Sequence, residues 1–82
     1  MTNEEFIRRL KKARKLALTR YKDYLRIMNA CSRADLEWGV TAVFGDDDIF
    51  DKSSYWLVCH GNTDENVRAV FDNSIKALGG KP

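Results

Sequence analysis

Residues 38–60, WGVTAVFGDDDIFDKSSYWLVCH, decide the fold class. Trp38 to Phe44 and Tyr55 to His60 are rich in aromatic and β-branched residues, and Gly39, Gly45 and Gly61 lie at or near their ends. That composition predicts two strands, 38–44 and 55–60, joined by an acidic loop over 45–54. The loop exceeds the usual two to five hairpin residues. The rival reading starts a helix at Ser32, with Ser32 and Asp35 as its cap and Leu36, Val40 and Val43 as its face, and a second at Asp51. Gly39 and Thr41 oppose the first of these helices. The sequence is therefore read as α+β in the order α-β-β-α, with an all-α four-helix bundle as the alternative.

Working outward, the flanks are helical. Thr2 and Glu5 have capping-box spacing, and an apolar series follows: Phe6, Ile7, Leu10, Ala13, Ala17, Leu18, Tyr21, Tyr24, Leu25, Met28 and Cys31. No Gly or Pro interrupts it, so one helix is expected over 3–31. Arg14 sits at the edge of the apolar stripe, placed to reach an acid of the second half. At the other end, Thr63 precedes Asp64 and Glu65, Val67, Val70, Phe71, Ser74, Ile75 and Leu78 share a face, and Gly79–Gly80 supply a stop. A helix over 63–78 follows.

The 82 residues, 44% hydrophobic and 32% charged, suit a single globular domain over 1–82 with one small core. No stretch approaches the ~20 apolar residues that span a bilayer, and Met1 is followed by polar residues without a secretory pattern. A cytoplasmic protein without membrane contact is expected. Cys31 and Cys59 are too few for a disulfide framework and read as reduced, buried thiols.

Charge divides the chain. Residues 1–33 carry ten Lys/Arg against three acids, a net +7, whereas 34–82 carry four against nine, a net −5. Such a dipolar chain presents one face to an acidic partner, pairs its own halves, or stacks on a second copy. Arg8, Lys11, Lys12, Lys15, Lys22 and Arg26, with Thr19 and Asn29, fall opposite the apolar series of the 3–31 helix. From Arg8 to Arg26 the basic stripe spans ~27 Å, a length that suits several phosphates. Asp46, Asp47, Asp48 and Asp51 form the acidic counterpart.

Reaction chemistry is not indicated. On a strand His60 and Cys59 point to opposite faces and form no nucleophile–base pair. Cys31, Cys59 and His60 lack a zinc-ligand spacing. The aspartates miss the EF-hand pattern, because the sixth position from Asp46 is Asp51 and the twelfth is Leu57. No phosphate-binding glycine loop, zinc finger, RRM signature or KH loop is present. The expected protein is non-enzymatic and cofactor-free, an interaction module, inhibitor or adaptor. It would bind a protein or nucleoprotein complex through the basic face, the acidic loop, or both; direct nucleic-acid binding by the basic helix is the alternative. A homodimer is expected as well, because strand 55–59 is apolar on both faces and one would stay bare.

Overall fold

The computed structural model describes residues 2–23, 25–36, 57 and 59–82. Three helices make up this part: α1 (Asn3–Thr19), α2 (Arg26–Arg33) and α3 (Asp64–Ala77). No strand occurs among the described residues, so the α+β expectation is overturned in favour of the all-α alternative. Leu57, Cys59 and His60 are helical, within the segment expected to be the second strand. The Gly61 N–H donates to the Leu57 carbonyl at 2.8 Å, and Gly61 has φ +107. Gly61 thus ends a helical turn, a role that looks identical in sequence to ending a strand. The expected strand 38–44 and loop 45–54 lie outside the described residues.

α1 begins with one half of the expected capping box. The Thr2 hydroxyl accepts from the Glu5 N–H at 3.2 Å, while the Glu5 carboxylate accepts from Arg9 Nη2 at 2.7 Å. Phe6, Leu10, Ala13 and Ala17 bury one face, and α1 packs against both α2 and α3 through it. α3 starts in the same way, the Thr63 hydroxyl accepting from the Asn66 N–H at 3.1 Å, and buries Val67, Phe71, Ser74 and Ile75. With Ile27, Ala30, Cys31, Ala34, Leu36 and Leu57 these residues form one core. Each large apolar side chain buried there contributes about 1.5–3 kcal/mol.

The single helix expected over 3–31 is two helices. α1 stops at Thr19, and α2 starts at Arg26. Asp23 makes the turn without Gly or Pro: its carboxylate accepts from the Leu25 N–H at 3.0 Å, and its carbonyl accepts from the Arg26 N–H at 3.1 Å. This side-chain mimicry of a turn is a recognised property of aspartate. The Asn62 side-chain amide also donates to the Asp23 carbonyl, at 3.0 Å, tying the turn to the segment before α3. The break resets the helical phase. Positions 26, 27, 30, 31 and 34 are buried, and Met28, expected inside, is 41% exposed.

α2 and α3 end alike. After α2, the Leu36 N–H donates to the Cys31 carbonyl at 2.9 Å and the Asp35 N–H to the Ser32 carbonyl at 3.1 Å, with Asp35 at φ +59. Asp35, which the rival sequence reading used to start a helix, ends one. After α3, the Gly80 N–H donates to the Ile75 carbonyl at 3.0 Å and the Gly79 N–H to the Lys76 carbonyl at 2.9 Å, with Gly79 at φ +84. Both pairs give donors to last-turn carbonyls that the regular i+4 ladder leaves open.

Arg26, assigned by the sequence to the exposed basic stripe, is only 2% exposed. Its Nε and Nη2 donate to the Ala17 carbonyl at 2.9 and 2.6 Å, its Nη1 to the Asn62 carbonyl at 3.3 Å, and its Nη2 to Asp64 Oδ1 at 2.7 Å. One guanidinium therefore caps the end of α1, opens α2 and holds the start of α3. Hydrogen bonds to charged groups are worth about 1.5–3 kcal/mol, and losing the guanidinium leaves the buried Ala17 carbonyl unsatisfied. We expect Arg26→Met to destabilise by about 2–4 kcal/mol, comparable to losing a core side chain. Arg26→Lys should cost less but still measurably, since an ammonium cannot reproduce the fork. Urea denaturation measures both; a loss for Arg26→Met within about 0.5 kcal/mol, as at ordinary surface sites, would contradict the assignment.

Candidate functional site

The outer face of α1 is the candidate site. Arg8, Lys11, Lys12 and Lys15 are exposed and follow i, i+3, i+4, i+7 spacing, which places them on one stripe. That stripe lies opposite the buried series Phe6, Leu10, Ala13 and Ala17. The register of the core thus fixes the direction in which the four cations point. They occupy about 10 Å of helix, at roughly 1.5 Å of rise per residue. None of them forms an ion pair with an acid among the described residues. Glu4 lies at the N-terminal edge and Thr19 at the other end, where its hydroxyl donates to the Lys15 carbonyl at 2.7 Å.

The remaining members of the expected stripe are elsewhere. Arg26 is buried beneath the α1 terminus, and Asn29 belongs to α2. Lys22 lies beyond the end of α1, with Nζ 3.1 Å from Asp64 Oδ2 and 3.3 Å from Oδ1. The ~27 Å stripe shortens to about 10 Å once the helix is known to end at Thr19. Asp46, Asp47, Asp48 and Asp51 lie outside the described residues.

Several other cations of the first half act within the fold. Arg14 Nη1 meets Asp72 Oδ1 at 2.7 Å, the long-range acid contact expected from its position at the stripe edge. Arg9, besides pairing with Glu5, donates from Nη1 to the Asp35 carbonyl at 3.1 Å, joining α1 to the end of α2. The Arg20 guanidinium carbon lies 5.8 Å from the centre of the Tyr21 ring, within cation–π range. A sizeable part of the charge split therefore pairs the chain with itself. What is presented outward as a cluster is the subset Arg8, Lys11, Lys12 and Lys15, with Arg33 exposed separately at the end of α2.

Asp64 is the acid on which two of these contacts converge. Arg26 and then Lys22, by hydrogen bonding to its carboxylate, hold its pKa below the ordinary aspartate value. The charge also faces the positive N-terminal end of α3, where an acid is favourable.

The thiols are unlike. Cys31 is buried, and burial pushes its pKa up to about 12, so it is an inert core residue. Cys59, expected to be buried on a strand, is exposed. Cys59 and His60 are successive residues of a helical turn, whose side chains diverge by roughly 100° rather than alternating across a sheet. Among the described residues no group of three or more His, Cys, Asp or Glu is placed to hold a metal ion. Nor, among them, is any helix long and apolar enough to cross a membrane. No protein-family model, curated protein or solved structure matches the chain, so the site is argued from its own residues.

Because the folded pKa of Asp64 is depressed, its contribution to stability is fully present above the unfolded-state value of about 3.9 and is lost as pH falls through the lower folded value. Urea midpoints of the wild type and Asp64→Asn should therefore differ at neutral pH and converge as pH falls below about 4. A gap that stays constant down to the acid limit would show that the carboxylate is not coupled to Arg26 and Lys22.

Proposed function

We propose that this chain is a non-enzymatic interaction module, an adaptor or inhibitor, that docks onto an anionic surface of a large protein or nucleoprotein partner through the outer face of α1. The observation that carries this reading is the set of four exposed cations, Arg8, Lys11, Lys12 and Lys15, standing together opposite the core and without acidic partners among the described residues. Like charges crowded into about 10 Å repel one another, since that spacing is comparable to the screening length of about 8 Å at physiological salt. An anionic partner relieves the repulsion and is steered toward the patch.

The acidic residues Asp46, Asp47, Asp48 and Asp51 remain a second contact proposed from the sequence. A cytoplasmic setting belongs to the same proposal and is supported by a count of two cysteines, too few for a disulfide framework. Self-association is not included, because the strand whose two apolar faces called for it is helical at Leu57, Cys59 and His60.

Heparin is a suitable general polyanion probe. In a titration followed by backbone amide NMR, the largest shifts should fall on Arg8, Lys11, Lys12 and Lys15, with small shifts along α3. Shifts centred on α3, or none at a salt concentration near physiological, would overturn the assignment of the binding face.

A further inference from the structure

We infer that the occupant of the α1 face is the phosphate backbone of a double-stranded nucleic acid, bound without sequence preference; this rests on the docking role proposed above and names its partner. Three of the four cations are lysines. Lysine is depleted from protein–protein interfaces, whose energetic centres favour Trp, Tyr and Arg set in desolvated pockets. A flexible ammonium is, by contrast, well suited to a phosphate, which it meets as a point charge from many directions.

The surroundings narrow the choice further. The exposed positions sharing this side of α1 are Glu4, Arg8, Lys11, Lys12, Lys15 and Thr19, and none is aromatic. Single-stranded nucleic acid is held largely by bases stacked on aromatic rings, so this face lacks the means to grip it. Adenine edges are read by Asn or Gln, which this face lacks, and its cations could contact guanine edges only where a groove admits the helix. The Thr19 hydroxyl is already donated to the Lys15 carbonyl. What remains is charge at a spacing that suits a duplex: about 10 Å of helix spans three axial steps of roughly 3.4 Å, which separate four successive phosphates of one strand. Glu4 sets the boundary of the footprint, since it repels phosphate at the N-terminal edge. Four contacts place the interaction in the weak, sequence-independent class, strong in effect only when a nucleoprotein assembly supplies further contacts.

The test is fluorescence anisotropy with a labelled duplex of about 20 base pairs, compared with a second duplex of unrelated sequence and with polyglutamate. Four phosphate contacts predict a slope of log K against log salt of roughly −3.6, or about a hundredfold loss between 50 and 200 mM. The variant Lys11→Gln/Lys15→Gln/Lys12→Gln should lower that slope by about 2.7, at 0.9 per contact. Arginine at the same three positions should restore it. Arg33→Gln/Arg68→Gln/Lys76→Gln, exposed changes that lower net charge equally, should leave most of the slope intact. Circular dichroism melts check that each variant is folded. Duplex binding unaffected by the α1 changes, or equally affected by the charge-matched control, overturns the inference. If polyglutamate binding alone depends on the three lysines, the phosphate assignment fails and the docking face stands. If the α1 variant matches wild type toward both polymers, the docking face fails too.

Discussion

The guanidinium of Arg26 is the constraint on which the arrangement of the helices depends. It is buried and charged, so its donors need acceptors, and it makes four hydrogen bonds to the Ala17 carbonyl, the Asn62 carbonyl and the Asp64 carboxylate. Those acceptors belong to the end of α1, the approach to α3 and its first residue. A cation beneath the C-terminal end of α1 is favourable to that helix, while the same charge at the start of α2 and near the start of α3 is not. Asp64, half exposed and also contacted by Lys22, supplies the compensating negative charge. Fixing Arg26 inside requires the chain to leave α1 at Thr19, turn on Asp23 and re-enter a helix in a new phase. Ile27, Ala30 and Cys31 then meet the core in place of Met28.

That geometry sorts the charges of the first half. Arg9, Arg14, Lys22 and Arg26 bind to other parts of the fold, and Arg20 lies over Tyr21. Exposed ion pairs such as Lys22–Asp64 contribute little to stability, whereas breaking the buried fork of Arg26 is costly because its acceptors lose their donors. Arg8, Lys11, Lys12 and Lys15 are directed outward by the register of Phe6, Leu10, Ala13 and Ala17. The charge asymmetry thus has two roles. It closes the fold across its two halves, and it leaves a compact cationic face for which we propose a phosphate-backbone partner.

Local chemistry made the helix starts legible in the sequence: Thr2 and Thr63 each accept from an N–H three residues on, and the buried series of α1 and α3 follow the helical period. Arg14 reaching an acid of the second half was legible for the same reason, since its position at the stripe edge left it one direction to go. The break at 20–25 was concealed because a side chain makes it: Asp23 supplies the turn that Gly or Pro would have advertised. With the break concealed, extrapolating the α1 phase put Arg26 on the solvent side and Met28 in the core, the reverse of what is found. A second series, Ile27, Ala30, Cys31 and Ala34, was the available signal. The reading of 55–60 as a strand rested on β-propensity, which expresses fit to a half-buried surface. Leu57 meets that condition from a helical turn, 2% exposed.

The most direct test of this account is hydrogen exchange at the Arg26 Nε–H, followed by ¹⁵N NMR. Donated to the Ala17 carbonyl and shielded from water, that proton should give a resolved signal exchanging orders of magnitude more slowly than the exposed arginine Arg8, at a rate approaching the core amides of α1 and α3. An Arg26 Nε–H that exchanges as fast as that of Arg8 would contradict the account, because the three helix ends would then have no common anchor.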